Sequence, residues 1–567
     1  MRQIKKLIFV GVVFLFIFGI YSVIQKIVTP TALSYEEAVI ELNRLLKDIE
    51  WTQERVQRKA NLALSSKKDI LETLPNIEQF QMVVQPSITP NDVGIEIFVS
   101  TEKSGKTIDG WMVEAAMEFN AQEIRLNSGK RVQVLIRKIA SGTGYEFIAS
   151  KKYLPDAFSP SSHLWIEMTK AHGMSMNPIR ERLVRNIAGI VIKKQLANEL
   201  KTSYGNLEIK NIIDAVIQGK LAMGYTNPYA SSTGLNFLIT VLSSFANGTE
   251  SEMLSPSVIS AFENFQKGVP FVCETTIQMR ESVQNDGSLD AFVMEYQTFM
   301  NTSELKTDYE FIPFGYVHDN PLYSVGVLSD EKKQALERFA QFIEQPRYVS
   351  LADQYGFNPS LSYSSAFTLP SGTTLIEAQK LWKEKKDAGK QVNAIFLCDV
   401  SGSMAGSRIQ ALKKSLIVGS EFISKNNAIG LIIFNDQVKE ILPVDKFNLS
   451  QKASFQAAAE DISSGGGTAM YDGIVVALHQ LLKSKETSPP DTKFTLFVLT
   501  DGESKSGLDY YDIFPVIAGL KIPIYTIGYE ANIDVLKQLS LVVEAASLQA
   551  NEGEIEYKIG SLLNAQM

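Results

Sequence analysis

An uncharged, largely apolar run occupies Leu7 to Ile24, "LIFVGVVFLFIFGIYSVI", directly after the basic start "MRQIKK". At about 1.5 Å per residue a helix over this run covers roughly 27 Å, close to the hydrocarbon thickness of a bilayer, and this predicts a transmembrane anchor over 1–28. Arg2, Lys5 and Lys6 favour a cytoplasmic start, which places the rest of the chain outside the cytoplasm as a single-pass membrane protein. A cleaved signal peptide is the competing reading, but its apolar core is usually shorter, and in "KIVTPTALS" Pro30 interrupts any small-x-small cleavage site. The pattern then becomes helical. Ser34 and Glu37 have the spacing of a capping box, and Tyr35, Val39, Leu42, Leu46 and Ile49 recur at intervals of four and three. The seam weakens at Gln53 and resumes at Val56, Ala60 and Ala63, so a long self-associating coil is less expected than a helix docked on its own protein. A plain amphipathic spacer, a helical stalk over 29–91, is the preferred reading.

Over 92–361 short apolar runs alternate with helix-period segments: "IEIFV", "WMVEAAMEFN", "VQVLIRKI", "LAMGY" and "TGLNFLITVLSSFAN". Strand-helix alternation of this kind predicts parallel α/β sheets. Two strand-to-helix loops carry candidate binding residues. "STEKSGKT", Ser100 to Thr107, resembles a phosphate loop, except that Ser100 stands where that motif requires glycine and no companion motif follows. Nucleotide hydrolysis is therefore not expected, although a hydroxyl-rich loop with amide donors suits a small polar or anionic ligand. In "GYTNPYASSTGLNFL" a strand is predicted to end at Thr226, and Ser231, Ser232, Thr233 and Gly234 open a helix whose free N–H groups offer a binding corner. One residue would suffice for a cap, so the cluster points to a ligand. Ser100, Thr101, Ser104, Thr226, Ser232 and Thr233 are the candidate cleft lining.

The order of these motifs, with "DAFSPSSHLWIEM", "SLDAFVMEYQ", "PLYSVGVL" and "QYGFNPSL", resembles type II bacterial extracellular solute-binding proteins over about Asp92 to Leu361. The resemblance implies two α/β lobes joined by crossing strands, with a ligand held in the cleft between them. Family ligands range from oxyanions to sugars, so none is carried over. In open α/β sheets the cleft lies at the carboxyl ends of strands, where both loops fall.

"NPSLSYSSAFTLPSGTT", rich in Ser, Pro and small residues, marks a linker over 362–390, with a short amphipathic helix through Leu381 and Trp382 leading to the next core. The remaining residues, 391–567, read as a second α/β unit: "VNAIFLC", "AIGLIIF", "FTLFVLT" and "IPIYTIGY" are continuous apolar runs separated by helical segments, as in a doubly wound, Rossmann-like sheet covered on both faces.

Three loops at strand ends of this unit carry hard oxygen donors: Asp399, Ser401 and Ser403 in "CDVSGSM", Thr468 in "SSGGGTAMYDG", and Asp501 in "VLTDGES". Alternate positions 399, 401 and 403 let an extended turn aim three side chains at one point. Histidine is absent from the loops, which disfavours zinc and favours Mg²⁺, with Mn²⁺ as the alternative. The set, in sequence and order, resembles the von Willebrand factor type A (VWA) domain with its metal-ion-dependent adhesion site, from Val392 to about Asn564. That resemblance implies that Asp399, Ser401, Ser403, Thr468 and Asp501 hold the ion directly or through water, and that an acidic side chain from a protein partner completes its shell.

Composition narrows the function further. A formal charge of -8 with no long Lys/Arg tract argues against a nucleic-acid partner. Cys273 and Cys398, far apart and unpaired in spacing, read as small core residues, and His163, His172, His318 and His479 form no triad or metal-ligand spacing. No enzyme is expected. The reading is a bacterial, membrane-anchored recognition protein joining solute binding to metal-dependent protein binding or adhesion. The alternative is the substrate-binding component of a membrane importer.

Overall fold

The computed structural model describes residues 32–60, 62, 74–269, 271–273, 289–387, 390–502, 504–529, 536, 539, 547–550 and 555–567. The expected anchor at Leu7–Ile24 lies outside the described residues. Among the described residues no helix is long and apolar enough to cross a membrane.

Helix α1 (Tyr35–Leu46) starts on the capping box expected from its sequence: the Ser34 hydroxyl accepts the Glu37 N–H at 3.3 Å and Glu37 Oε2 accepts the Ser34 N–H at 2.9 Å. The helix is not a spacer, because it buries Ala38, Leu42 and Leu45 in the core of the carboxyl-terminal unit. Burying each leucine contributes about 1.5–3 kcal/mol. Strand β1 (Trp51–Gln53) then pairs in parallel with Val438–Glu440 and becomes the edge of the carboxyl-terminal sheet. Arg58 continues the attachment through ion pairs to Glu460 and Asp461. The span 29–91 is therefore divided, since Met82–Val84 belongs to a different sheet.

That sheet forms the first lobe. It contains β2 (Met82–Val84), β3 (Asp92–Val99), β4 (Arg131–Lys138), β5 (Ala157–Ser159) and β6 (Met176–Arg180), with helix α2 (His163–Ala171) following β5. The second lobe contains β7 (Ala188–Lys193), β8 (Met223–Thr226), β9 (Phe271–Cys273), β10 (Ala291–Glu295) and β11 (Tyr309–Pro313), with α3 (Ser232–Phe245) following β8. The chain then returns to the first lobe as β12 (Leu322–Val325), so the strand orders are β2-β4-β3-β5-β12-β6 and β11-β7-β10-β8-β9. Two segments cross between the lobes, and they are tied by a pair of backbone hydrogen bonds between Asn186 and His318 at 2.7 and 3.0 Å.

Helix α4 (Gly372–Lys385) is the helix expected in the linker. It lies against both α2 and α3, with Trp382 fully buried. The carboxyl-terminal sheet has the order β1-β15-β14-β13-β16-β17-β18, built from β13 (Val392–Asp399), β14 (Ala428–Phe434), β15 (Val438–Lys446), β16 (Lys493–Thr500), β17 (Ile524–Tyr529) and β18 (Ser547–Ala550). All eight residues of β13 are buried, as a central strand with helices on both faces requires. Phe396, Phe497 and Tyr525 stack across three adjacent strands at centroid distances of 5.0 and 5.4 Å, which fixes their register. Helices α5 (Ser407–Gly419), α6 (Met470–Lys485), α7 (Tyr510–Leu520) and α8 (Ile555–Gln566) complete the unit. On α7 a Cβ at Gly519 would come within 2.6 Å of the Ala38 side chain, so glycine there permits α1 to dock closely.

Candidate functional site

Parallel β13 and β16 end side by side, which brings the loops after Asp399 and Thr500 together. Asp399 is fully buried. Its Oδ1 accepts the Ser401 N–H at 2.8 Å and its Oδ2 accepts the Thr500 hydroxyl at 2.6 Å, so the carboxylate is aimed by the strand beside it. The Ser401 and Ser403 hydroxyls lie 3.0 Å apart, and Ser403 donates to Asp501 Oδ1 at 2.9 Å. Four of the five expected metal ligands thus form one continuous chain of hydrogen bonds.

The loop carrying Thr468 is fastened to this chain through the backbone: the Gly402 N–H donates to Gly466 O at 3.0 Å and the Gly465 N–H to Val400 O at 2.7 Å. Gly466 has φ +83°, and a Cβ there would fall 2.1 Å from Asp436 Oδ1. Glycine at 466 therefore has a steric cause. Thr468 itself is buried, and its carbonyl accepts the Lys505 and Ser506 N–H groups.

Asp399 and Ser401 form the buried base, Thr468 is buried on the adjoining loop, and Ser403 is exposed at the rim. Burial raises the Asp399 carboxyl above the ordinary aspartate range, and the neighbouring charge of Asp501 adds to the rise. Two carboxylates held close in a cup of hydroxyls match the donor chemistry of a hard divalent cation. Among the described residues no cluster of three His, Cys, Asp or Glu side chains is assembled to hold a metal, so hydroxyls rather than further acids would complete this set. One participant was missed by sequence reasoning: Arg408, in the first turn of α5, donates from Nη1 to Asp501 Oδ2 at 2.9 Å and to Ser403 O at 3.2 Å.

Residues 104–358 match the family model for bacterial extracellular solute-binding proteins, and residues 393–551 match that for the von Willebrand factor type A domain. The chain joins a solute-binding domain to a VWA domain. The chain is 26% identical over 169 residues to an uncharacterized protein of Synechocystis, covering 29% of this chain and 38% of that protein. It is also 26% identical over 153 residues to inter-alpha-trypsin inhibitor heavy chain H3 of Mus musculus, covering 25% of this chain and 17% of that one. The chain thus spans well under half the length of these relatives. Among solved structures, iron-bound HitA from Pseudomonas aeruginosa aligns over 52% of this chain and 99% of its own at 14% identity and TM-score 0.36. A von Willebrand factor type A protein from Catenulispora acidiphila aligns over 31% and 42% at 14% identity and TM-score 0.28. Both families are generally binding domains rather than enzymes, and a VWA domain commonly holds a divalent metal ion at a site of this kind.

In the solute-binding domain the candidate lining separates into two groups. Ser100 and Ser104 follow β3: Ser100 donates to Glu102, while the Ser104 hydroxyl is spent on Val99 O and Ser100 O at 3.1 and 2.8 Å. Thr101 is half-buried on the same loop. At the other corner Thr226 donates to Ser231 at 2.9 Å, Ser231 caps α3 by accepting the Gly234 N–H, and Ser232 accepts Trp165 Nε1–H from α2 at 2.8 Å. Thr233 donates to Glu295 at 3.3 Å.

The sequence reading passed over the charged residues among these hydroxyls. Glu102 accepts the Ser161 hydroxyl at 2.8 Å, and burial raises its carboxyl above the usual range, with the charge of Glu295 adding to the rise. Lys103 is fully buried and donates to Ser159 O, Ser159 Oγ and Pro160 O at 3.0–3.1 Å; burial pulls its ammonium down to about 8. His318 lies within the same interior. Asn236 accepts the Tyr316 N–H on Oδ1, so its Nδ2 faces His318 Nε2 as a donor. The proton of His318 therefore sits on Nδ1 and is donated to Glu295 at 2.9 Å, while Glu295 also accepts Asn186 Nδ2–H at 3.0 Å. Glu295 thereby locks both crossing segments. Such a residue has no local motif, because its partners lie 109 and 23 positions away.

The two remaining sequence expectations for special side chains divide. Cys398 is a buried core residue whose thiol is pushed up by burial, whereas the Cys273 side chain lies outside the described residues.

Proposed function

We propose that this is a membrane-anchored, extracytoplasmic bacterial recognition protein that binds a small polar solute between its two lobes and a protein partner through a Mg²⁺ ion in its VWA domain. The observation that carries the reading is the convergence of Asp399, Ser401, Ser403 and Asp501 into one oxygen-lined cup with a buried base and an exposed rim. Asp399, Ser401, Ser403, Thr468 and Asp501 would hold the ion, which would supply an exposed positive charge for a partner's carboxylate. Mn²⁺ would serve the same donors. The lobes would close around a small polar or anionic solute, beside a loop in which the Ser100 and Ser161 hydroxyls both donate to Glu102. The anchor at Leu7–Ile24 would place both modules on the outer side of the membrane.

Helix α4 supports a link between the modules. Gln379 of α4 donates to Pro228 O at 2.8 Å and Trp382 Nε1–H donates to the Tyr225 hydroxyl at 2.6 Å, so α4 grips the β8–α3 corner before the chain enters β13. Pull-down from bacterial envelope extract tests the reading. The intact protein should retain a partner in Mg²⁺ and release it in chelator, and the Asp501→Ala variant should retain none in either. A partner held equally in chelator would refute the metal-dependent role.

A further inference from the structure

A second charged site lies at the junction between the solute-binding and VWA domains, away from both the metal cup and the cleft. A cavity of about 70 Å³ opens there between β9 and the amino-terminal ends of β13 and β16, with Val272, Tyr525 and Gln566 among its walls. That is several times the space one water molecule needs. Lys386, Asp387 and Lys493 face into it. The Lys386 side chain is only 3% exposed and pairs with Asp387 Oδ2 at 2.7 Å, while Lys493 reaches Asp387 Oδ1 at 3.4 Å. One carboxylate thus answers two ammonium groups, in a pocket whose aliphatic walls weaken solvent screening.

Asp387 accounts for only part of this positive charge. An ammonium group has three donors, and burying it is costly unless they are met. The backbone around Lys386 is also fixed: its N–H donates to Trp382 O at 2.7 Å, and its carbonyl accepts Gln266 Nε2–H at 3.1 Å. The lysine is held in place by α4 and the helix at Pro256–Gln266 rather than free to turn outward.

We propose that this junction binds a small oxyanion, held by Lys386 and Lys493, which fastens the second lobe to the VWA domain. Its oxygens accept from the two ammonium groups on the side away from Asp387. The occupant is a tetrahedral phosphate or sulfate group, or a carboxylate, since these share the acceptor chemistry the lysines require. The proposal does not depend on the metal site or on the solute cleft.

Calorimetric titration of the full-length chain with inorganic phosphate, sulfate and acetate, each at ionic strength matched with chloride, tests it. Saturable binding of at least one oxyanion is expected, and the arm that binds tightest identifies the class. Lys493→Gln, which alters a partly exposed side chain, should weaken that binding at least ~tenfold, because a charge-assisted hydrogen bond is lost. Asp387→Asn should tighten it by removing the competing carboxylate. Lys386→Met should abolish it; should that variant not fold, Lys493→Gln and Asp387→Asn decide the matter. Absence of saturable binding beyond the chloride control, or an affinity unchanged by Lys493→Gln, would overturn the proposal.

Discussion

Arg408 Nη1 donates to Asp501 Oδ2 at 2.9 Å, so a guanidinium from the first turn of α5 neutralises one of the two carboxylates of the proposed metal cup. The Asp501 side chain is only 2% exposed, which makes this pairing stronger than a surface ion pair. A divalent cation and Arg408 then draw on the same carboxylate. Arg408→Ala is expected to lower the Mg²⁺ concentration for half-maximal thermal stabilisation several-fold, because the competing positive charge is gone. A higher requirement in the variant would show instead that the guanidinium positions Asp501 for the ion.

Helix α1 is part of the VWA core. Leu42→Ala should therefore destabilise the domain by about 2–4 kcal/mol, through lost burial and the cavity left behind. Ile40→Ala, on the same helix but 70% exposed, should change stability by less than about 0.5 kcal/mol. Denaturant unfolding of the two variants separates a docked helix from a spacer, which would leave both unchanged.

Ser34, Glu37 and the apolar period locate α1 and its start in the sequence, because capping and periodicity are local. Nothing local says what covers the seam. That is settled by β1, three residues of "WTQ" with no apolar alternation, whose pairing partner lies almost 400 positions away at Val438. The same division runs through the two sites. Alternation at 399, 401 and 403 and the glycine loop are written in contiguous residues, so the meeting of these oxygen-bearing loops is legible in the sequence. Arg408 and Glu295 act through contacts set by helix packing and strand crossing, and neither could be found in a motif. Lys103 and Glu102 lie inside a loop whose sequence signal is its hydroxyls, and nothing local marks Lys103 as fully buried.

Glu102 gives the solute-binding domain a pH signature. Burial raises its folded-state pKa above the ordinary value of 4.5, so the folded protein favours the protonated form. The stability this contributes is fully present below the ordinary glutamate range and is lost as pH rises through the folded value. Glu102→Gln keeps a neutral side chain at every pH. The variant should therefore melt higher than the parent near neutral pH, and the difference should vanish at about pH 4, where glutamate protonates in the unfolded chain as well. Melting curves across that range check the sign. A variant less stable at neutral pH would place a favourable ionised contact at Glu102.

One ion and five side chains stand at the centre of the proposed function. Anomalous diffraction from crystals of the intact protein grown with Mn²⁺ as a substitute for Mg²⁺ tests their association most directly. A strong peak enclosed by Asp399, Ser401, Ser403, Thr468 and Asp501 is predicted, and the peak should be absent from Asp399→Ala crystals grown in the same solution. A map with no peak in that cup at saturating Mn²⁺, or with its strongest peak elsewhere in the VWA domain, would contradict a metal site there.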